Sequence, residues 1–241
     1  MKIAAIVLLA LGLCVLPGHV FSGAATSAEG EVAYLDLPDG FGVTEEDEVE
    51  PEIIEFYADE FEGDAFFFLL DRSSSMGGTT SSGEIKYAVM KRETIRALQG
   101  LTSRSVVSII FYNVDMEPLT FGDPPIKMEP AAKAQLIARV SGTPISNGSC
   151  MVRGAEKLLG IAMKTQNEHR TMILVADGRT HCSNAENNPD KVYQRIIAKN
   201  VTRMPINTIY TGQQSGEDWT IGKPMLERLS RATNGKFKIA R

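Results

Sequence analysis

Two aspartates in this chain stand where ligands are held in open α/β sheets, just beyond the carboxyl ends of apolar strand-like runs. Asp71 ends the run Ala65–Leu70 and opens the loop Asp71-Arg-Ser-Ser-Ser75-Met-Gly-Gly. Asp177 ends the run Thr171–Ala176 and is followed by Gly178. The Asp-x-Ser-x-Ser spacing brings Asp71, Ser73 and Ser75 into one tight loop. Two hydroxyls with one or two carboxylates form an all-oxygen donor set. Such a set suits a hard cation such as Mg²⁺, with water at the remaining positions. Serine-rich turns are common, so the spacing alone says little. Its place after one buried run, with Ala-Asp-Gly after another, makes the signal specific.

The elements that must position these residues follow from periodicity. Ala65–Leu70, Val106–Tyr112, Thr171–Ala176, Ile206–Tyr210 and Phe237–Ile239 are runs without polar alternation. Runs of that kind suit strands buried on both faces of a parallel sheet. Helical patterns fall between them, at Gly83–Leu101, Pro130–Val140, Met151–Met163, Asp190–Asn200 and Lys223–Thr233, the last stopped by Asn234-Gly235. Met116–Phe121 reads as a short edge strand. Strand–helix alternation predicts a doubly wound, mostly parallel α/β sheet with helices on both faces and one antiparallel edge strand.

From Asp64 to Arg241 the sequence resembles the von Willebrand factor type A (VWA) family, whose metal-ion-dependent adhesion site uses Asp-x-Ser-x-Ser, a Thr in a second loop and an Asp after a later strand. Asp71, Ser73 and Ser75 match the first part and Asp177 the last, with Ala176 where the family more often has Thr. The second loop, Thr143-Pro-Ile-Ser-Asn-Gly-Ser149, departs from the usual Gly-Gly-Thr. Ser149 fits best in spacing and Thr143 is the alternative. The resemblance implies that Ser73 and Ser75 ligate the ion directly and that Asp71 holds water or the serine hydroxyls from behind. It also implies that Asp177 and Ser149 alternate between direct and water-mediated contact. Mg²⁺ or Mn²⁺ would be the cofactor. A position left open would take a Glu or Asp carboxylate from a partner protein.

Cys150 follows Ser149, and Cys182 lies five residues after Asp177. Both therefore fall on loops near the expected site, as a disulfide or as two separate thiols, since bridging needs Cα atoms within about 7 Å. His181 could make a Ser/His/Asp hydrolase with Ser73 or Ser75 and Asp177, but no Gly-x-Ser-x-Gly elbow accompanies it. The reading is therefore a binding module and not an enzyme. A Ser/His/Asp or metal-assisted hydrolase and a metal-independent structural module are the alternatives.

The N-terminus explains part of the apolar content. Met1-Lys2, the apolar run Ile3–Leu16 and small residues to Ala25 read as a signal peptide over 1–25. That reading predicts a secreted, periplasmic or cell-envelope protein, with membrane attachment only if the segment stays uncleaved. No Lys or Arg lies between Lys2 and Arg72, and half of the 30 acidic residues fall between Glu29 and Asp64. Residues 26–61 therefore read as an acidic, largely flexible arm, with the more apolar 51–61 docking on the domain edge, and 62–241 as the VWA domain. The arm could lie across Lys86, Lys91, Arg92 and Arg96 and mask the site. No stacking aromatics are grouped among the bases, so nucleic acid is not an expected partner.

Overall fold

The computed structural model describes Glu50–Ala240 other than Met116, Arg179, His181 and 183–186. The expected signal peptide, most of the acidic arm and His181 lie outside the described residues.

A six-stranded sheet carries the site. Its strands are β3 (Ala65–Asp71), β4 (Val106–Tyr112), β5 (Leu119–Lys127), β6 (Arg170–Ala176), β7 (Ile206–Tyr210) and β8 (Phe237–Ile239), preceded in the chain by a separate hairpin, β1 (Glu52–Phe56) and β2 (Asp59–Gly63). The spatial order is β5-β4-β3-β6-β7-β8. Every neighbouring pair is parallel except β4 with β5. Asp71 therefore ends a strand flanked on both sides. The antiparallel edge strand starts three residues later than expected and runs through Pro124-Pro125, residues an edge tolerates because no further strand needs their N–H groups.

Among the described residues five helices cover the sheet: α1 (Lys86–Gly100), α2 (Pro130–Gly142), α3 (Met151–Ala162), α4 (Pro189–Lys199) and α5 (Lys223–Ala232). Alternation along β3 divides the core. Phe67 and Leu69 face one side with Leu158 of α3, Ile196 of α4 and Leu226 of α5. Phe66, Phe68 and Leu70 face the other with Met90 of α1, Val140 of α2 and the hairpin residues Ile54, Phe56 and Phe61. Helix starts follow local chemistry. Asn188 caps α4 by accepting from the amides of Asp190 and Lys191, and Pro189 begins the helix.

The segment expected to dock on the domain edge does so as a paired hairpin. Phe56 lies against Phe68 with ring centroids 5.6 Å apart, and the amide of Tyr57 donates to Glu93 Oε2 on α1. The packed body thus includes residues 52–61 as a paired element. Its turn holds Tyr57 and Ala58 at φ 53° and 55°. That conformation is uncommon for side chains of this kind.

Candidate metal centre

Asp71 is the last residue of β3 and sits opposite Tyr112, the last of β4. It is 1% exposed. Its Oδ1 accepts the amide of Ser73 at 2.7 Å, which bends the chain sharply into a 3-10 turn over Ser74–Gly77. Met76, fully buried, pins that turn to the core. Ser73 Oγ then lies 2.9 Å from Ser75 Oγ. The spacing works because the Asp side chain substitutes for a backbone acceptor two residues away.

The second loop reaches the same carboxylate. Ser149 Oγ donates to Asp71 Oδ2 at 3.1 Å, beside the Tyr112 phenol at 3.0 Å. The loop is fastened to the strand ends by Ser146 N–H to the Arg72 carbonyl, Val114 N–H to the Asn147 carbonyl and Cys150 N–H to the Asn113 carbonyl. Gly148 adopts φ +61°, and a Cβ there would stand 2.6 Å from Val114 Cβ. Only glycine fits at that point. Cys150 is disulfide-bonded to Cys182 with Cα atoms 4.6 Å apart, so the second loop and the loop after β6 are tied together. Thr180 adds to the tie, since its hydroxyl accepts the amide of Met151 and donates to the Ser149 carbonyl.

The third contribution comes from Asp177, after β6. Its Oδ1 accepts from Ser75 at 3.0 Å, and its Oδ2 from Lys86 Nζ at 2.5 Å. Asp71, Ser73, Ser75, Ser149 and Asp177 thus form one continuous hydrogen-bonded cluster at the carboxyl end of the sheet.

No known family pattern and no curated protein matches the sequence. Solved structures do match the fold. A von Willebrand factor type A protein from Catenulispora acidiphila aligns with TM-score 0.57 and 18% identity over 76% of this chain and 40% of its own. The pilus adhesin SpaC from Lactobacillus rhamnosus GG aligns with TM-score 0.59 and 9% identity over 74% of this chain and 28% of its own. The vWF domain of the type V pili tip protein Mfa5 from Porphyromonas gingivalis aligns with TM-score 0.55 and 13% identity over 73% of this chain and 89% of its own. This chain has a VWA fold.

Within the VWA fold the two second-loop candidates separate. The Thr143 hydroxyl donates to the Arg139 carbonyl at the end of α2 and does not join the cluster. Ser149 does. Two cluster members were not among the expected residues. Tyr112 carries no sequence signal beyond its place in a buried strand. Lys86, expected to be available to the acidic arm, has a side chain that is 7% exposed and turned toward Asp177. The other three cations named with it are engaged too: Arg92 with Glu84, Arg96 with Glu55, and Lys91 with the Ser141 carbonyl. His169 is exposed.

Burial pushes the Asp71 carboxyl up to about 7, with the nearby Asp177 charge acting the same way and hydrogen bonds from Ser73 and Tyr112 opposing. Burial also raises the Tyr112 phenol well above its usual range, so it stays a donor. Two carboxylates thus share a buried cluster that contains one ammonium. Such a cluster favours added positive charge. Among the described residues no three His, Cys, Asp or Glu side chains converge. Any ion held here must use hydroxyls as well as carboxylates. Three hydroxyls and two carboxylates are hard oxygen donors and fit Mg²⁺ or Mn²⁺.

Proposed function

We propose that this VWA module binds Mg²⁺ or Mn²⁺ at Asp71, Ser73, Ser75, Ser149 and Asp177 and uses the ion to grip an acidic side chain of a partner protein, outside the cytoplasm, in adhesion or assembly. The observation that carries the reading is the convergence of these five side chains. They come from three loops separated by most of the domain, and they meet in a single hydrogen-bonded cluster. The bound ion would supply an open, Lewis-acidic position to an incoming carboxylate.

The protein's own residues prepare that position. Asp71 is locked by three donors, so it orients the Ser73 amide and the Ser149 hydroxyl instead of swinging outward. Ser75 is exposed and opens the cluster to solvent at the face where a partner would arrive. The hydroxyls are neutral, so they leave part of the ion's charge for the partner's carboxylate to balance. Ser75 donates to a carboxylate already shared with Lys86, an arrangement that orients ligands. The likeness to a pilus adhesin and a pili tip protein supports adhesion or assembly. The chain spans 40% of the Catenulispora protein and 28% of SpaC, so the comparison concerns this module alone.

Calorimetric titration of the intact chain with Mn²⁺ tests the reading. The expected result is saturable uptake that Asp71→Ala abolishes, protein capture that EDTA reverses, and no turnover of ester or phosphate substrates. A folded wild-type chain that takes up no Mn²⁺ would overturn it.

A further inference from the structure

We infer that Lys86 is an internal cation that competes with the divalent ion for Asp177 and so sets the concentration at which the site fills; the inference rests on the metal-binding reading above.

Lys86 opens α1. Lysine is seldom buried to this degree without a partner. A cation in the first turn of a helix also meets the positive end of the helix dipole. No acidic residue in the first turn of α1 offsets that. The compensation comes from Asp177, 91 residues further along the chain.

The stem is guided to that contact. The Lys86 amide donates to the Gly78 carbonyl at 2.9 Å, and a Cβ at Gly78 would lie 3.3 Å from Lys86 Cε. The serine loop therefore runs directly along the lysine side chain. Gly78 leaves it room, and the ammonium emerges against the carboxylate.

Both oxygens of Asp177 are engaged, Oδ1 by Ser75 and Oδ2 by Lys86. A divalent ion that draws on Asp177 meets an ammonium on the same carboxylate, and like charges within a few ångströms repel strongly when little water lies between them. The ion and the ammonium therefore weaken one another's hold on Asp177. Lys86 keeps Asp177 neutralised while the ion is absent and raises the ion concentration needed to fill the site.

Mn²⁺ titration of the intact wild-type chain, Lys86→Met and Lys86→Gln tests the competition. Methionine keeps an unbranched stem without the charge; glutamine keeps a donor to Asp177 and serves if Lys86→Met does not fold. The expected result is a Kd for Mn²⁺ lower by about tenfold or more in either variant. The metal-free variant should also melt below wild type and regain more on adding Mn²⁺. A Kd equal to or weaker than that of wild type in both variants would overturn the competition while leaving the metal-binding reading intact. Binding by a variant when wild type is silent would support the competition and overturn metal dependence in the natural chain. Silence in every folded form would overturn both.

Discussion

The Tyr112 hydroxyl donates to the Asp71 carboxylate at 3.0 Å, between residues that face each other at the final register position of two neighbouring parallel strands. The sheet itself therefore builds the floor of the cluster. Removing that hydroxyl alone probes the floor without changing the packing. Tyr112→Phe should destabilise the fold by about 1 kcal/mol in urea unfolding, the net value of one buried hydrogen bond. It should also weaken Mn²⁺ binding, because Asp71 then has one fewer anchor. Unchanged unfolding and titration curves would show that the phenol does not support Asp71.

The glycine before Ser149 is a second point of control. Gly148→Ala places a methyl where Val114 stands and holds a non-glycine residue at φ +61°. The expected cost is about 1–3 kcal/mol. Ser149 should move away from Asp71, so Mn²⁺ affinity should fall more than for an alanine on the exposed face of α1. Equal effects from the two substitutions would count against this placement.

The Cys150–Cys182 bond closes a loop with a sequence separation of 32 and holds the second loop to the loop after β6. Constraining an unfolded chain by a loop of that size contributes about 3–4 kcal/mol in the chain-entropy treatment. Alkylation under denaturing, non-reducing conditions should leave both cysteines unmodified in peptide masses. Cys150→Ser with Cys182→Ser should lower the Tm and loosen metal binding. Alkylated Cys150 or Cys182 without reductant would refute the bond.

Acid sensitivity should be seated at the hairpin. Burial alone would raise the Glu52 carboxyl. Hydrogen bonds from the Thr102 hydroxyl and amide, with the Arg104 charge, outweigh burial and hold it below its ordinary value of 4.5. A carboxyl with a depressed folded pKa contributes stability that is present above the unfolded value and is lost as pH falls through the folded one. Wild type should therefore lose stability below about pH 4.5. Glu52→Gln should start less stable at neutral pH and show a flatter decline across the same window. Thermal melts from neutral pH down to about 3 would show it. Parallel slopes for the two proteins would remove Glu52 as a cause.

How much of this was legible in the sequence depends on how far each feature reaches. The six main-sheet strands and five helices follow local periodicity, and the structure moves their ends by a few residues. β5 is the exception, shifted and lengthened through Pro124-Pro125. The β1–β2 hairpin was legible only as a docking segment, because Tyr57-Ala58 carries none of the glycine or asparagine signals of a tight turn. What forces its conformation is packing of Phe56 and Phe61 on the sheet.

By itself the sequence determined the α/β alternation and the placing of Asp71 and Asp177 at strand ends, because hydrophobic burial writes strands and helices into local pattern. It determined the oxygen-only loop as well, since Asp-x-Ser-x-Ser closes through contacts two residues apart. The tertiary structure alone decided that Ser149 and not Thr143 joins the cluster, that Cys150 meets Cys182, and that Tyr112 and Lys86 belong to it. Each of those depends on which loops the parallel crossovers bring to one end of the sheet, and no local spacing encodes a distance between residues 30 to 100 positions apart.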